Sequence, residues 1–394
     1  MGHSAGVTAC GQHEETTVTS RERVIAAFQH TEPDRTPLFE RLIKPPADAV
    51  VLGRQSATSF VGEMEIWERE GWEVLMEQKA RDTVDLAKLL HFDMICLGTN
   101  RRFTPERPKR VERYAWQLDD WVHRYFPESG VVRSERLDQK RESDQEAIER
   151  TLAELEVDDP VSFPDDQFFV FRRAKELMEA EGLDLAIYVS DYRIGVAALP
   201  PFMLEWFYTA PDLLRRYYDK RTQDCIAYGR KCAELGANVI GLGGDFAGDK
   251  GPVIAPKLYR EFVVPQIRRQ AVALHELGVY VTNTTDGDVW PVIEDFLIAT
   301  DVDGYGEIDK AAGMELKPLR VQYGDRICFL GNLDIRFTLC SGTPEDARQA
   351  MIQCIEDGWG NGGHIVMTSN VVHHDVRPEN YLAALEAHRA YFGY

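Results

Sequence analysis

One structural unit recurs along this chain: a short apolar run, a polar tip and then a helical segment. Eight such units follow one another, with their apolar runs at residues 35–43, 92–98, 183–190, 237–244, 278–283, 301–306, 327–331 and 363–369. Runs of this kind are typical of buried parallel strands, and the segments between them have helical periodicity. Eight alternating units favour an α/β fold that closes as a single (β/α)8 TIM barrel over an open doubly wound sheet.

Four ionisable residues come at or just after the ends of these runs and are the candidate catalytic groups: Asp245, Asp286, Glu307 and His373. The chemistry of such barrels lies at the carboxyl ends of the strands, so we expect the four side chains to line one pocket. A carboxyl group held close to other carboxylates has a raised pKa and can serve as an acid or a base. A helix cap, a turn or a salt bridge is the alternative role for each carboxylate.

Six further residues are candidate substrate-binding groups on the same rim: Arg41, Asn100, Tyr192, Thr284, Asn332 and Asn370. A cation such as Arg41 can hold a carboxylate, and an aromatic side chain such as Tyr192 can form the wall of a substrate pocket. If the rim holds a divalent metal ion, its ligands would come from the four candidate catalytic groups.

The chain is predicted to contain a lead and one domain. Residues 1–19 are polar and aperiodic, which predicts a flexible lead, and residues 20–394 form the barrel. Its first helix begins near Ser20, a good N-cap residue. Residues 101–165 break the rhythm of strands and helices, with a short aromatic hairpin followed by a charged helix within 139–160. We expect this insertion near the active-site rim, because long insertions in barrels often cover the mouth.

Composition excludes several classes of protein. The chain has 45 basic and 65 acidic residues, a net charge of −20, and no basic cluster, so neither nucleic acid nor an anionic membrane is an expected partner. No apolar run approaches the roughly 18 residues of a membrane span, and the start of the chain lacks a signal-peptide layout; we expect a cytoplasmic protein. The seven cysteines include no CxxC pair, which predicts reduced thiols.

Five stretches of the sequence resemble the uroporphyrinogen decarboxylase superfamily, which includes the decarboxylase of haem biosynthesis and several corrinoid-linked methyltransferases. They lie at residues 20–38, 251–269, 284–293, 313–334 and 362–381, in the order expected of the family. The resemblance implies a (β/α)8 barrel and an enzyme. It also implies that Asn332 and Asp334 support the architecture of the barrel mouth, because enzymes of different chemistry share this motif.

The haem-pathway decarboxylase differs from this chain where its substrate is held. The family enzyme has an arginine-rich motif on its first strand, an aspartate after the second strand and a late histidine. The matching positions here are Arg41 alone, Asn100 and Asn370. Decarboxylation of a porphyrinogen is therefore not expected.

The methyltransferase branch of the family often carries a zinc site made of an HxC motif and a later cysteine. The matching positions here are Thr284, Asp286 and either Ser369 or Asn370. No thiolate ligand remains, so that zinc site is not carried over in its usual form.

The resemblance favours a methyltransferase that moves a methyl group between a small methylated compound and a corrinoid on a separate protein. A decarboxylase or lyase without a cofactor is the alternative, and Arg41, Arg101, Arg102 and Arg193 are its candidate carboxylate anchors. The third interpretation is a non-catalytic binder of a corrinoid or tetrapyrrole. Besides the small-molecule substrate, the candidate partners are a corrinoid protein and a second copy of this chain in a homodimer.

Overall fold

A computed structural model describes residues 18–137, 143–157, 161–190, 194–197 and 199–394. The predicted flexible lead lies almost entirely outside these residues, as does Tyr192. Among the described residues, no helix is long and apolar enough to cross a membrane.

The strands form one parallel sheet and two antiparallel sheets. The parallel sheet contains, in spatial order and in chain order, β1 (Met94–Cys96), β6 (Ala186–Ser190), β7 (Val239–Gly243), β10 (Tyr280–Thr284), β11 (Gly304–Gly306), β12 (Cys328–Leu330) and β13 (His364–Ile365). The first antiparallel sheet contains β2 (Lys109–Glu112), β3 (Ala115–Leu118), β4 (Trp121–Phe126) and β5 (Val131–Arg136), and the second contains β8 (Ala247–Gly248) and β9 (Gly251–Pro252). Each strand of the parallel sheet lies in a run predicted from the sequence, except that β10 extends one residue beyond its run, to Thr284.

The first predicted strand, residues 35–43, is present only as isolated bridges. Leu38 pairs with Val366 and Ile43 pairs with Val372, both in parallel. On its other side, the carbonyl oxygen of Leu38 accepts a hydrogen bond of 2.8 Å from the backbone N–H of Asp93. This segment thus contacts both edges of the parallel sheet, next to β1 and next to β13, although it is too irregular to count as a full strand.

The parallel sheet is curled. Its inner face carries one apolar cluster to which both edge strands contribute, Met94 from β1 and Ile365 from β13, together with Phe39 from the first segment and Tyr188 from β6. Residues from opposite edges of a flat sheet could not share one cluster. The sheet therefore forms at least a half-barrel, with its helices packed on the outer face around a larger cluster.

Helices connect the strands and cover the outer face. They are α1 (Ser20–Phe28), α2 (Ala47–Leu52), α3 (Phe60–Glu70), α4 (Trp72–Leu89), α5 (Asp144–Glu156), α6 (Phe169–Ala180), α7 (Pro201–Thr209), α8 (Pro211–Leu235), α9 (Pro256–Leu258), α10 (Val264–His275), α11 (Leu316–Tyr323), α12 (Pro344–Gly358) and α13 (Pro378–Phe392). The N-cap of α1 is Thr19, whose side chain and that of Glu22 form a capping box, so Ser20 is the first helical residue and not the predicted cap.

Three segments have π-helical geometry: Tyr259–Val263, Asp295–Ala299 and Ile335–Leu339. A 3-10 turn at Trp290–Val292 precedes the second of these segments. π-Helical turns are rare in proteins, and those that occur are often found at functional sites. Each of the three follows a strand and the loop that succeeds it.

The region predicted as a hairpin is a complete four-stranded antiparallel sheet, because the sequence between residues 127 and 137 supplies a fourth strand, β5. Trp116 of β3 packs with Trp67 and Met64 of α3 in a separate apolar cluster. This sheet is therefore attached to the barrel helices through α3. The charged helix predicted within 139–160 is α5, and residues 138–142 and 158–160 lie outside the described residues.

A buried ion cluster fixes the start of the chain to β1. The carboxylate of Asp93, fully buried, accepts hydrogen bonds from Arg23 at 2.8 Å and from Arg35 at 2.6 and 2.7 Å, and it also accepts the backbone N–H of Leu38 at 2.9 Å. Four donors thus satisfy both carboxylate oxygens. Helix α1, the first segment and β1 are held together by this one side chain.

We expect Asp93→Ala to lower the free energy of unfolding by about 3–5 kcal/mol, because it leaves two buried arginines without their carboxylate. Urea denaturation measures the change. The matched control is Arg69→Ala, which breaks an exposed ion pair with Glu70 and is expected to cost less than about 1 kcal/mol. An effect of Asp93→Ala as small as that of the control would contradict the role assigned to the cluster.

Candidate active site

The carboxyl ends of β7, β10 and β11 bring three acidic side chains together. Asp245 follows β7 and is exposed, Asp286 follows β10 and is half-buried, and Glu307 follows β11 and is buried. Burial raises the pKa of Asp286, and the negative charges of Asp245 and Asp309 raise it further. The three side chains thus act on one another electrostatically, as expected of strand ends that meet at one mouth.

Glu307 is paired with the one arginine of the first segment. The guanidinium of Arg41 donates a hydrogen bond to Glu307 Oε1. Burial raises the pKa of Glu307 to about 7; Arg41 opposes this shift, and the charges of Asp286 and Asp245 add to it. A carboxyl group in this environment can hold or release a proton near neutral pH.

The backbone of Glu307 is strained. Its φ angle is 62°, in the left-handed region that non-glycine residues rarely occupy. Such a conformation costs on the order of 1–3 kcal/mol and persists where the surrounding structure enforces it, most often at active sites. Here the conformation aims the carboxyl group at Arg41.

Asn370 binds the second carboxylate of the mouth. Its Nδ2 donates a hydrogen bond of 2.9 Å to Asp286 Oδ2, and its Oδ1 accepts one of 2.7 Å from the backbone N–H of Val371. The amide orientation is therefore fixed from both sides. The ends of β10 and β13 meet through this contact, so the two positions matched to the family's zinc ligands are neighbours.

A hydrogen-bond relay supports Asn370 from the outer side of the sheet. Thr368 donates its backbone N–H to Glu40 Oε1 at 2.8 Å, and its hydroxyl contacts both Glu40 Oε2, at 2.8 Å, and the carbonyl oxygen of Asn370. A threonine hydroxyl has a single proton, and a carbonyl oxygen can only accept. Both contacts are satisfied when Glu40 is protonated and donates to the hydroxyl.

Burial favours this protonated form. Desolvation raises the pKa of Glu40 to about 8; hydrogen bonds from Thr368 oppose the shift, and the charge of Glu307 adds to it. The protonated carboxyl of Glu40 thus positions Thr368, then Asn370 and, through Asn370, Asp286. Glu40 is a positioning residue that the sequence analysis missed, although a glutamate inside the apolar run PLFERLI was the signal for it.

Polar side chains of the barrel interior lie beneath the mouth. Thr284 is buried, with its hydroxyl 3.5 Å from that of Tyr188. Tyr305 is also buried; burial raises its pKa well above the ordinary value, and the charges of Asp309, Asp286 and Glu307 add to the effect. The hydroxyls of Thr284 and Tyr188 lie in the barrel interior beneath the mouth, whereas Tyr305 belongs to the outer cluster and packs against Phe296. Thr284 is the one of these three residues that was predicted.

A second arginine lies at the edge of the mouth. Arg336, from the π-helical segment after β12, contacts Asp309 at 3.1 Å and Asp249 at 2.7 Å. Its charge also acts to lower the pKa of Asp286. Arg336 was not predicted as a site residue, because it lies in the helical turn after the strand tip and the pattern of apolar runs and polar tips does not mark such a position.

His373 has no recorded contact with these carboxylates among the described residues. Its Nε2 lies 4.0 Å from Cys340 Sγ, and its Nδ1 accepts the backbone N–H of Asp375 at 3.2 Å. Its membership of the catalytic group stays a prediction. Asn370, three residues earlier in the same loop, is the residue that reaches the carboxylates.

Two predicted substrate-binding amides have structural roles instead. Asn100 donates to the carbonyl oxygens of Arg101 and Asp166 and accepts from the backbone N–H of Val170, so it ties the loop after β1 to the start of α6. Asn332 is buried, and its Nδ2 donates to the carbonyl oxygen of Met314 at 3.2 Å. Backbone groups thus bind both the Nδ2 and the Oδ1 of Asn100, and a backbone carbonyl binds the Nδ2 of Asn332.

Two of the candidate carboxylate anchors, Arg101 and Arg102, also have partners within the protein that lie outside the mouth. Arg101 pairs with Glu63 at 2.8 Å, and Arg102 lies 4.0 Å from Asp166. Arg193 lies outside the described residues, as does Tyr192. Arg41 is thus the predicted arginine that reaches the mouth in the described part of the chain.

The mouth does not fit the metal sites considered from the sequence. A zinc site of the family's kind needs thiolates, and the positions are occupied by Thr284, Asp286 and Asn370. Among the described residues, the group whose ligand atoms lie close enough to share an ion is His373, His374 and Asp375, away from the acidic mouth. The oxygens of Asp245, Asp286 and Glu307 do not converge in that way, so no metal is assigned to them.

Comparison with known proteins gives the family. The family described as "Uroporphyrinogen decarboxylase (URO-D)" matches residues 198–391, which contain Asp245, Asp286, Glu307 and Asn370. Residues 198–391 therefore belong to the uroporphyrinogen decarboxylase superfamily. The match includes every strand of the parallel sheet from β7 onward.

Similar proteins in this superfamily carry more than one activity. The chain is 26% identical over 159 residues to a methylated-thiol–coenzyme M methyltransferase of Methanosarcina mazei, a match that covers 40% of each protein. It is also 26% identical over 173 residues to a uroporphyrinogen decarboxylase of Syntrophotalea carbinolica, covering 44% of this chain and 47% of that protein. The chain thus spans less than half the length of either relative.

A solved structure of a methyltransferase from Methanosarcina mazei has the same fold. Its TM-score with this chain is 0.63 at 16% sequence identity, and the match covers 95% of this chain and 99% of that one. At this identity the likeness shows the fold and not the reaction.

The pH dependence of stability tests the protonated Glu40. Because its folded-state pKa of about 8 lies above the ordinary glutamate pKa of 4.5, the folded protein keeps a proton that the unfolded chain releases between these pH values. Wild-type stability should therefore fall from pH 4.5 to pH 8 relative to Glu40→Gln, by on the order of a few kcal/mol, because glutamine cannot ionise. Urea denaturation across this range measures the difference.

The control for this experiment is Glu276→Gln, which changes an exposed glutamate at the C-cap of α10. Its stability relative to wild type should stay constant with pH. A Glu40→Gln protein whose stability runs parallel to that of wild type across the whole range would mean that Glu40 is ionised in the folded state.

Proposed function

We propose that this chain is a methyltransferase that moves a methyl group between a small methylated compound and a corrinoid carried on a separate protein. The proposal includes the closed (β/α)8 form of the barrel, in which the segment around Leu38 acts as the eighth strand between β1 and β13. The observation that carries the proposal is the acidic mouth, in which Glu307 has a pKa of about 7 and a single arginine is bound to it.

A mouth of this kind suits the protonation of a leaving heteroatom. The pKa of about 7 allows Glu307 to be protonated before the reaction and ionised after it at neutral pH. Arg41 stabilises the carboxylate that forms, since its guanidinium already contacts Glu307 Oε1. Asp286 and Asn370 form the opposite wall and orient the substrate.

The proposed step balances in atoms and electrons. The bond between the methyl carbon and the heteroatom breaks, and the heteroatom keeps the electron pair of that bond. It then takes the proton of Glu307. The methyl carbon forms its new bond with the cobalt of the corrinoid cosubstrate, which supplies the electron pair for that bond.

The relatives support methyl transfer without deciding it. A methylated-thiol–coenzyme M methyltransferase and a uroporphyrinogen decarboxylase are equally identical to this chain, at 26%. The argument against the second activity is chemical. A porphyrinogen presents several carboxylates, and Arg41 is the arginine of the mouth that faces the candidate acid, where it is occupied by Glu307.

Decarboxylation of a smaller carboxylate is the second candidate, and Arg41 favours it. A substrate carboxylate could displace Glu307 from the guanidinium, and the protonated Glu307 could then donate to the carbanion that forms. A non-catalytic binder of a corrinoid or tetrapyrrole is less consistent with the mouth, because ionisable groups converge there and the backbone of Glu307 is held in a strained conformation.

The methyl-transfer proposal is tested with purified protein, reduced cobalamin as the acceptor, and a thioether, a methylamine and an aryl methyl ether as donors. With one of these donor classes, we expect the absorbance of reduced cobalamin to decrease with time. Glu307→Gln should lower kcat by about 10²–10⁴-fold, the usual contribution of a positioned acid. Asp286→Asn should also lower kcat, because it removes the carboxylate that orients the substrate. Steady-state rates at pH 7 measure the effect.

Two controls sharpen this test. Asp325→Asn changes an exposed aspartate just before β12, at the opposite end of the strand from the mouth, and His373→Gln changes the histidine that has no recorded contact with the mouth carboxylates among the described residues. Both should keep the wild-type rate. The proposal fails if no donor class reacts above the rate without protein, or if the two mouth variants retain full activity.

A separate assay tests the activity suggested by the second relative. With uroporphyrinogen as substrate, we expect no coproporphyrinogen above the background rate, because one paired arginine cannot hold the carboxylates of a porphyrinogen. Chromatography of the oxidised porphyrins measures the product. Product formation that depends on Glu307 would establish the decarboxylase reaction instead.

A further inference from the structure

A second cavity lies between the first segment and the four-stranded antiparallel sheet. Its volume is about 520 Å³, within the range of small-molecule sites. Most of its wall is apolar or aromatic, and the residues that matter here are Leu42, Pro45, Phe60, Val61, Tyr125 and Val132. Nothing in the proposed reaction uses this cavity.

The antiparallel sheet forms the roof of the cavity. Tyr125 of β4 and Val132 of β5 are paired in register, so their side chains lie on the same face of the sheet. The Tyr125 ring lies in a stacked arrangement with that of Phe60, with centroids 6.2 Å apart. The result is an aromatic wall on one side of the cavity.

The turn between β4 and β5 closes the cavity against the barrel. Gly130 in this turn has a φ angle of 62°, and a side chain there would come within 2.6 Å of His374 Nδ1. The close approach of the glycine backbone to the imidazole fixes how far the roof lies from the loop after β13. The cavity is therefore a built feature of the fold and not a loose gap between two elements.

The cavity is separate from the acidic mouth. Arg41 faces Glu307, whereas the next residue, Leu42, lines the cavity. Consecutive side chains of an extended segment point to opposite sides. A ligand in the cavity would therefore approach the first segment from the side opposite to the mouth.

The charges that face the cavity are unbalanced toward positive. Glu63 is bound by Lys79 at 2.7 Å and by Arg101 at 2.8 Å, so its charge is neutralised. His374 lies 3.3 Å from Asp375. Lys44 is half-buried, and among the described residues no carboxylate lies within ion-pair distance of its ammonium group. In a chain with 20 more acidic than basic residues, a lysine at a cavity wall without a carboxylate is unusual.

We propose that this cavity binds a flat aromatic carboxylate. The ring would stack on the wall formed by Phe60 and Tyr125, since offset stacking is favourable for aromatic groups. The ligand carboxylate would pair with the ammonium group of Lys44 and give it the negative partner that the protein does not supply. The proposal does not depend on the reaction at the mouth, because it concerns binding alone.

Calorimetric titration of the full chain with 2-naphthoate tests the proposal, and 2-naphthamide serves as the uncharged ligand of the same shape. We expect the wild-type protein to bind the carboxylate at least about tenfold more tightly than the amide. Lys44→Met should weaken 2-naphthoate binding by about tenfold or more and leave the weak binding of the amide unchanged. Lys257→Met, which removes an exposed lysine outside the cavity, should have no effect.

Further variants locate the ligand. Val132→Trp fills the cavity from the roof and should abolish binding, and Ala49→Leu fills it from α2 if the first variant does not fold. Arg41→Met should leave 2-naphthoate binding intact. The proposal is overturned if wild-type protein does not bind 2-naphthoate, if Lys44→Met binds it as tightly as wild type, or if Arg41→Met abolishes binding, which would assign the ligand to the mouth.

Discussion

The carboxylate of Asp93 is the interaction on which the arrangement of the strands depends. It binds Arg23 of α1, Arg35 of the first segment and the backbone N–H of Leu38, while its own backbone N–H donates to the carbonyl oxygen of Leu38. The first segment is thereby held between β1 and the residues that follow β13. Without this anchor, an irregular segment with two isolated bridges would have little to keep it in register.

The acidic mouth depends on that register. Arg41 lies three residues beyond Leu38 and Glu40 lies two residues beyond it, so a shift of one residue would exchange the sides that they face. In the observed register Arg41 contacts Glu307 inside the mouth, and Glu40 contacts Thr368 on the other side. One short segment therefore supplies both the cation of the site and the carboxyl group that positions its opposite wall.

The sequence was sufficient to predict the strands and the ends at which polar groups meet, because apolar runs and polar tips are local patterns. Asp245, Asp286 and Glu307 were found in this way. The recorded contacts of His373 and Asn100 are with other groups, and the sequence could not predict those contacts, because the path of a loop after its strand depends on packing that no local pattern records. Glu40 was missed for a related reason: its partners, Thr368 and Asn370, lie more than 320 residues away.

The raised pKa values of the two buried glutamates, Glu40 and Glu307, keep protons in a site whose carboxyl groups would otherwise be ionised at neutral pH. Asp245, Asp286, Glu307 and Asp309 lie near one another with Arg41 and Arg336 as the nearby cations, so full ionisation would leave an excess of negative charge in a partly buried space. Keeping Glu40 neutral and Glu307 close to half-protonated at pH 7 reduces that repulsion. The same balance makes Glu307 the group that can release a proton with the smallest rearrangement, since its conjugate base is already bound by Arg41. Strain in its backbone and a raised pKa thus belong to one arrangement, in which the fold holds an acid ready beside the cation that will stabilise its anion.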